Sequence, residues 1–294
     1  MNTARIAELL EPFLRTPVAS SETSGSSDRN HSEARASSAP ARSQPARPEP
    51  ARRPPLLSPI QLQHISTYID ILLHWNARIN LTAIRDPEEI VARHFGESLF
   101  AASHLFPHDA HLGTAALACP EPSGRACRPE RNSAAPTLAD IGSGAGFPGL
   151  PIKLWARQIA VTLIESNHKK AAFLGEVTRA ITLTDVNIQT ARAETLIGSI
   201  YDVVTLRAVE RFESVLVTAA TLVAPAGRLA LLIGTSQHQK ARSSLPAFYW
   251  SEPVPIPHSR VRVLLIGNQP SNKWTTDGKQ SAYTNGLGAG KESC

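Results

Sequence analysis

Cysteine is scarce in this 294-residue chain, which contains only Cys119, Cys127 and Cys294. Their spacing matches no zinc-binding pattern, and their odd number leaves no complete disulfide framework. Long apolar runs are missing as well, because no stretch of about 18 apolar residues occurs and no apolar signal core precedes the first prolines. We therefore expect a cytoplasmic protein with no structural metal and no membrane segment.

Positive charge is present in only small excess. The net charge is +5, and the first 55 residues contribute +2 of it through eight arginines against six acids. The tail contributes about +1, which leaves about +2 for the remainder. Overall basicity is therefore weak evidence for a nucleic-acid partner, and a local basic patch would be needed to support one.

Large apolar residues are almost absent from the N-terminal region after one short helical pattern, which comprises Ile6, Leu9, Leu10, Phe13 and Leu14. Serine, alanine, arginine and proline follow, and such a composition cannot bury enough surface to offset the entropy lost on ordering. We predict a disordered N-terminal extension over residues 1–55 and a disordered tail over residues 268–294. A basic arm could contact RNA, but the composition favours a solvated extension.

Two helix-start signals define a helical cap over residues 56–106. Ser58-Pro59 supplies a capping residue with proline at the first helical position, and apolar residues then recur at helical spacing. Asp86-Pro87 opens a second helix. His94 lies on the apolar stripe of that helix, and we interpret it as a hydrogen-bonded core residue rather than a catalyst. Residues 107–136 lack periodicity and are predicted to be a mobile insertion.

Strand and helix patterns alternate from residue 137 to residue 267. This alternation predicts an α/β, Rossmann-like fold with a mostly parallel, doubly wound sheet, whose ligand lies at the carboxyl ends of the strands. Two later apolar runs, Phe248–Pro255 and Arg260–Ile266, are close enough to form an antiparallel hairpin at one edge.

The most specific motif is LADIGSGAGFPGLP, Leu138–Pro151, in which Gly142, Gly144 and Gly146 directly follow a strand pattern. Glycine lets the backbone turn sharply and leaves it uncovered, so that a flat or anionic ligand can lie against it. Gly144, Gly146 and Gly149 also fit the G-x-G-x-x-G of a dinucleotide-binding turn. S-adenosylmethionine and a dinucleotide therefore both remain candidate cofactors.

Two acids help to choose between these cofactors. Glu165 ends the second strand pattern, where a carboxylate can accept hydrogen bonds from ribose hydroxyls or cap the next helix. Asp140 precedes the first glycine, where it can meet a ligand amine or the amides of the loop. Dinucleotide phosphates would be repelled by this carboxylate, whereas S-adenosylmethionine carries an ammonium and a sulfonium. We accordingly favour S-adenosylmethionine.

Five motifs in order along the chain carry a resemblance to a known family. They are HWNARINLTAIRDPEEIVARHFGESL (His74–Leu99), the glycine motif, ESNHKKAAFL (Glu165–Leu174), ARAE (Ala191–Glu194) and YDVVTLRAV (Tyr201–Val209). Together they resemble the bacterial small-subunit rRNA guanine-N7 methyltransferase family, RsmG, formerly called glucose-inhibited division protein B. The resemblance implies a class I S-adenosylmethionine-dependent methyltransferase domain over residues 137–267, preceded by the helical cap. It also implies methylation of guanine N7 in 16S rRNA, at the family's target guanosine-527.

The resemblance also implies a set of cofactor contacts. Gly142 and Phe147 resemble family contacts in the glycine loop, and Arg207 resembles the arginine that follows the fourth strand. The predicted cofactor-binding residues are Gly142, Gly144, Gly146, Phe147, Glu165, Ala193, Glu194 and Arg207. No catalytic acid or base is predicted, because guanine N7 has an exposed lone pair and bears no proton.

Three positions depart from the family pattern. Glu97 stands where the family usually has Asp, and Gly96 stands where it usually has an aliphatic residue. Ile233 precedes Gly234 in a place where a Lys is usual, which puts a contact at the end of the fifth strand in question.

The partner implied by the resemblance is 16S rRNA or the small ribosomal subunit, bound by a monomer. Candidate phosphate contacts are Lys169, Lys170, Arg179, Arg78, Arg85, Arg93 and His94. Two other classes stay open: an NAD(P)-dependent oxidoreductase that uses the same loop, and a non-enzymatic rRNA-binding assembly factor that keeps the fold.

Overall fold

The computed structural model describes residues 1–15, 56–107, 135–196, 198–207 and 212–271. The α-helices are α1 (Thr3–Leu14), α2 (Pro59–Asn76), α3 (Pro87–Ile90), α4 (Glu97–Leu105), α5 (Gly149–Trp155), α6 (His168–Ala180), α7 (Phe212–Thr221) and α8 (His238–Ser244). The strands are β1 (Thr137–Ile141), β2 (Ala160–Ile164), β3 (Val186–Gln189), β4 (Tyr201–Arg207), β5 (Val223–Gly234), β6 (Tyr249–Trp250), β7 (Val254–Pro255) and β8 (Arg262–Asn268). A π-helical segment, Val91–Gly96, joins α3 to α4.

The eight strands form one sheet in the order β3-β2-β1-β4-β5-β8-β6, with β7 also paired to β8. Strands β1 to β5 pair in parallel, as expected for strands connected by helices. The order reverses between β1 and β4, where a doubly wound sheet opens its ligand crevice. The predicted α/β, doubly wound fold class is therefore confirmed.

The strand β8 is antiparallel to β5 on one side and to β6 and β7 on the other. The antiparallel pairing of the last apolar runs was predicted, whereas the placement of β8 inside the sheet was not. Sequence analysis also missed α8, because its seven residues bury only Ala241 and therefore show no helical apolar period.

The cap helices begin where the sequence indicates. The Ser58 side chain accepts a hydrogen bond from Gln61 N while the Gln61 side chain accepts one from Ser58 N, which completes a capping box. The Asp86 carboxylate accepts a hydrogen bond from Glu89 N at 2.8 Å. The cap and the helix α5 then enclose one apolar cluster on one face of the sheet, while α7 and α8 cover the other face.

The structure corrects the predicted N-terminal extension for residues 3–14. These residues form α1, which packs against the cap and buries Ile6, Leu10, Phe13 and Leu14. The apolar stripe of α1 is short, but it packs against apolar side chains of the cap. The predicted disordered tail over 268–294 begins too early, because β8 continues to Asn268 and Gln269 N donates a hydrogen bond to Gly227 O. The rest of that tail from residue 272, the predicted disorder of residues 16–55 and residues 108–134 of the predicted insertion over 107–136 lie outside the described residues.

Among the helices that the structure describes, none combines the length and the apolar character needed to cross a membrane. Within the same part of the chain, no three His, Cys, Asp or Glu side chains are grouped closely enough to hold a metal ion.

Candidate functional site

The carboxyl ends of the parallel strands bring the predicted site residues to one edge of the sheet. Ile141 at the end of β1 lies opposite Ile164 of β2 and Leu206 of β4. The residues that follow, Gly142, Glu165 and Arg207, therefore share this edge. Ile164 in turn lies opposite Gln189 of β3, which precedes the short 3₁₀ helix Ala193–Thr195. Within that helix Ala193 is buried and Glu194 is exposed.

The glycine loop has the backbone that only glycine adopts readily. The φ angles of Gly142, Gly144 and Gly146 are +67°, +55° and +85°. Among the described residues, a Cβ added at Gly144 would meet only Gly142 O, at 3.7 Å, so these residues leave that side of the loop open. A Cβ added at Gly146 would instead overlap the Tyr68 hydroxyl and lie 2.7 Å from Leu150 Cδ1. Gly144 therefore faces open space, whereas Gly146 lets the cap approach the loop.

Glu165 holds the glycine loop in place. Its Oε2 accepts a hydrogen bond from Gly144 N at 2.9 Å, and its Oε1 accepts one from Asn167 N at 2.8 Å. The side chain is buried, yet each carboxylate oxygen has a further lone pair available as an acceptor. The loop contact is a finding, and the predicted contact with ribose hydroxyls stays a prediction.

Asp140 lies beneath the loop. It is fully buried, and it accepts hydrogen bonds from Gly149 N at 3.1 Å and from Thr205 Oγ1 at 2.9 Å. Burial raises the pKa of this carboxyl from 3.8 to about 6, although the hydrogen bonds oppose that shift. The structure therefore bears out one of the two partners expected for Asp140, a backbone amide of the glycine motif, and this contact ties the first turn of α5 to β4.

Phe147 turns its ring toward the cap. The ring stacks on Tyr68 at a centroid distance of 5.4 Å and on His94 at 4.7 Å, and it meets Phe95 edge to face. The Tyr68 hydroxyl also donates a hydrogen bond to Ala145 O. The aromatic cluster therefore fixes the glycine loop against the cap. The Phe147 ring is therefore packed against protein side chains. The predicted contact of Phe147 with the cofactor stays a prediction.

Arg207 also turns toward the cap. Its Nη2 donates hydrogen bonds to Arg93 O at 2.8 Å, to His94 Nδ1 at 3.0 Å and to Glu97 Oε2 at 3.2 Å. The Arg207 side chain is 8% exposed, and its burial lowers the pKa of the guanidinium while Glu97 opposes that shift. The structure thus makes Arg207 a link between β4 and the cap, and its predicted contact with the cofactor stays a prediction.

Glu97, noted in the sequence only as a departure from the family pattern, is the centre of this link. Its side chain is 2% exposed, and its oxygens lie 3.2 Å from Arg207 Nη2, 3.3 Å from Arg262 Nε and 3.6 Å from Arg93 Nε. Three arginines from the cap, β4 and β8 therefore share one buried carboxylate. An acid flanked by aromatic and apolar residues, in HFGESLF, was the only sequence signal of this role.

His94 is neutral in this environment. Burial, together with the positive charges of Arg207, Arg93 and Arg262, lowers its pKa to about 3. Because Nδ1 accepts from Arg207, the proton resides on Nε2, which lies 2.7 Å from Thr82 Oγ1. Both ring nitrogens of His94 are thus engaged by protein partners, as expected for a hydrogen-bonded residue, and its contact with a phosphate stays a prediction.

The other candidate phosphate contacts are dispersed. Lys169 and Lys170 lie in the first turn of α6, which starts just beyond Glu165. Arg179 lies in the last turn of that helix, about 15 Å from Lys169 at 1.5 Å per residue, and so away from the site edge. Arg78 and Arg85 are exposed on the cap. Ile233 is buried among the apolar residues beneath α7 and α8, so it offers no polar contact at the end of β5.

Comparison with known proteins agrees with this geometry. A family model described as rRNA small subunit methyltransferase G matches residues 61–114 and 127–253. The chain is 36% identical over 219 residues to the Ribosomal RNA small subunit methyltransferase G of Roseiflexus sp. (strain RS-1), covering 70% of this chain and 82% of the relative. It is 32% identical over 199 residues to the protein of the same name from Xylella fastidiosa (strain 9a5c), with shares of 67% and 80%.

Solved structures resemble the fold at low identity. A ribosomal protein L11 methylase from Lactobacillus delbrueckii subsp. bulgaricus superposes with a TM-score of 0.43 and 11% identity, covering 60% of this chain and 79% of that one. The M. jannaschii TYW2 in complex with AdoMet gives a TM-score of 0.39 and 14% identity, with shares of 46% and 68%.

The sheet order, with a glycine loop after β1 and an acid after β2, defines a class I S-adenosylmethionine-dependent methyltransferase. The open side of Gly144 and the free acceptor capacity of Glu165 fit that cofactor. The matched family model covers more than half of the chain, and the chain therefore belongs to the rRNA small subunit methyltransferase G family.

Proposed function

We propose that this protein transfers a methyl group from S-adenosylmethionine to N7 of a guanine in 16S rRNA, the family target being guanosine-527. It acts as a monomer in the cytoplasm, on rRNA or on the small ribosomal subunit. The family match is the observation that carries this proposal, because the two segments of the matched model span both the cap and the strand ends that form the site.

The glycine loop and Glu165 would hold the cofactor. The open face at Gly144 lets a ligand lie against the backbone, and Glu165 both fixes the loop and keeps acceptor capacity for hydroxyl donors. Ala193 and Glu194 follow β3 at the same edge and would contact the adenine. When bound, S-adenosylmethionine supplies a sulfonium methyl group that a nucleophile can attack directly.

The side chains around the loop do not have to move a proton. Guanine N7 attacks through a lone pair and carries no hydrogen, so a general base has no task in this reaction. The titratable groups nearest the loop are engaged otherwise, because Asp140 ties α5 to β4 and His94 is held neutral between Thr82 and Arg207. Catalysis then rests on alignment and on the exclusion of water. The target base has to leave its stack to reach the methyl group, as in other base-modifying enzymes.

The decisive experiment maps N7-methylguanine in 16S rRNA from cells with and without this protein. Methylation that disappears with the gene and returns with the wild-type chain supports the proposal. Purified protein is then incubated with labelled S-adenosylmethionine and either naked 16S rRNA or small subunits, which identifies the true substrate. Calorimetry with S-adenosylmethionine and NAD excludes the oxidoreductase alternative if only the former binds. Binding of rRNA without methyl transfer to either substrate would contradict the proposal and favour an assembly factor.

A further inference from the structure

A cavity of about 180 Å³ lies between the cap and the loop that precedes β8. Its wall includes the π-helical segment at Arg93, the side chain of Glu97 and the run from Pro257 to Arg262. Its volume corresponds to about six water molecules at about 30 Å³ each, which is enough for a small anionic group. None of the predicted cofactor-binding residues lines this cavity.

Positively charged side chains outnumber negatively charged ones around the cavity. Arg93 and Arg262 line it directly, Arg207 lies behind Glu97, and Arg260 stands at its rim. In the part of the chain that the structure describes, the carboxylates paired with these four arginines are those of Glu97 and of Glu89, which lies 3.5 Å from Arg93. Within the residues that the structure describes, Arg260 has no ion-pair partner. Two positive charges are therefore left without a protein counter-charge.

The hydrogen-bonding capacity of the cluster is also incomplete. Among the described residues, the Nε of Arg207 is buried without a hydrogen-bond acceptor, and the Nε of Arg262 meets Glu97 Oε2 as an ion pair at 3.3 Å without the geometry of a hydrogen bond. The buried Oε1 of Glu97 in turn has no hydrogen-bond donor there. Unused donors of this kind are costly unless an acceptor reaches them. The positive field is felt by a neighbour as well, since the three arginines around Glu97 add to burial in lowering the pKa of His94.

From this cavity, its charge and its unused donors, we propose that Arg93, Arg260 and Arg262 bind a backbone phosphate of the RNA substrate. The two non-bridging oxygens of a phosphodiester can accept a pair of hydrogen bonds from one arginine guanidinium. Glu97 and Arg207 connect the proposed phosphate site to the glycine loop. The phosphate would therefore fix the register of the RNA relative to the methyl-transfer site while carrying no base specificity. This inference rests on the proposed function for the identity of the anion.

The test compares Arg260→Gln with the wild-type chain, because Arg260 makes no ion pair whose loss would disturb the fold. A labelled 16S rRNA fragment is titrated at several salt concentrations, and S-adenosylmethionine affinity is measured in parallel. Loss of one charge-assisted contact is expected to weaken RNA binding about tenfold. The slope of log affinity against log salt is expected to fall by about 0.7 to 0.9, which is the share of one phosphate contact. Arg260→Lys should restore part of the affinity.

The matched control is Arg157→Gln, which removes an exposed arginine at the opposite edge of the sheet, just before β2. It should leave both the RNA affinity and the salt slope unchanged. An Arg260→Gln protein with the wild-type salt slope would overturn the proposal, and so would an equal slope change in the control. Inorganic phosphate provides a second arm: if it raises the melting temperature of the wild-type protein but Arg260→Gln keeps wild-type RNA affinity, the cavity binds a free anion and not RNA.

The two proposals can fail separately. A protein that methylates 16S rRNA while Arg260→Gln binds RNA normally refutes the phosphate site alone. A protein that shows the expected salt slope but transfers no methyl group refutes the proposed reaction and leaves the phosphate site supported.

Discussion

Glu97 and Arg207 form a buried ion pair that joins the cap to the end of β4, with Oε2 and Nη2 3.2 Å apart. Both side chains are nearly inaccessible to solvent, and Arg262 and Arg93 complete the set around the carboxylate. The pair lies close to the glycine loop, since the Arg207 guanidinium is 5.9 Å from the centroid of the Phe147 ring, which belongs to that loop. This carboxylate therefore joins the cap to the sheet beside the aromatic cluster that fixes the glycine loop against the cap.

Replacing Glu97 by Gln should destabilise the protein strongly. The substitution leaves three arginines around a neutral amide, and removing one partner of a buried ion pair typically costs about 3 to 5 kcal/mol. Urea denaturation measures the change in the free energy of unfolding. Glu89→Gln is the matched control, because this half-exposed acid contacts the same Arg93 and should cost about 1 kcal/mol or less. Equal losses in the two variants would contradict the central role of Glu97.

Gly96 and Phe13 should be coupled energetically. A Cβ added at Gly96 would lie 2.6 Å from Phe13 Cε2, so Gly96→Ala should cost about 1 to 3 kcal/mol through overpacking. In a Phe13→Ala background the same change should be neutral or slightly stabilising, because alanine has a higher helix propensity than glycine. A double-mutant cycle on the free energy of unfolding measures the coupling, and simple additivity of the two changes would refute it.

Deleting residues 1–15 should destabilise the protein, in contrast to the expectation for a disordered extension. The helix α1 buries four large apolar side chains, each contributing about 1.5 to 3 kcal/mol. Their loss also exposes apolar surface on the cap. Thermal denaturation followed by circular dichroism should show a clearly lower midpoint or a loss of soluble protein. Glu11→Gln, which changes an exposed residue of the same helix that pairs with the nearby Arg15 on the surface, should show neither. An unaltered midpoint in the deletion variant would contradict the packing of α1.

Gly144→Ala should weaken S-adenosylmethionine binding by about tenfold or more, because the new methyl group occupies the open side of the glycine loop. The positive φ also costs about 1 to 2 kcal/mol of stability for a residue with a Cβ. Gly198→Ala controls for this second effect, since Gly198 has a φ of +83° and an added Cβ there has no atom of the described residues within 4 Å. Calorimetry should show lost affinity only for Gly144→Ala, and equal affinities would place the cofactor elsewhere.

Asp140 should make stability fall as pH rises through the range from about 4 to 6. The folded pKa of about 6 exceeds the ordinary value of 3.8, so the folded state binds the proton more tightly and loses stability when the carboxyl ionises. A shift of about two units corresponds to about 3 kcal/mol. Asp140→Asn should therefore gain stability relative to wild type between about pH 4 and pH 7. Urea denaturation at several pH values checks this gain, and a constant difference between the two proteins would refute it.

The parts of the fold that sequence predicts well are those with local causes. Ser58 and Asp86 cap helices within three residues of themselves, and the strand ends at Ile141 and Ile164 follow from short buried runs bounded by glycine or an acid. These local signals were enough to place the glycine loop and Glu165 at one edge of the sheet.

The parts that sequence could not supply depend on contacts between distant segments. Arg207 meets Glu97 across 110 positions of sequence, and no local pattern indicates that its side chain turns toward the cap. The choice between the two partners expected for Asp140 also depends on the fold, because the groups that donate to it, Gly149 N and Thr205 Oγ1, come from a helix and a neighbouring strand. The role of α1 depended on whether a complementary surface existed elsewhere in the chain.

The docking of α1 also has a consequence for folding during synthesis. This helix is synthesised before the elements against which it packs, α2 and α4, and the Phe13 ring lies 5.6 Å from the ring of His258, which follows much later in the chain. Such long sequence separation slows the formation of native contacts. The apolar side chains of α1 therefore stay exposed during synthesis until the cap and then the loop before β8 have been translated. We therefore expect nascent chains that stop before residue 258 to show greater protease sensitivity in α1 than the complete protein.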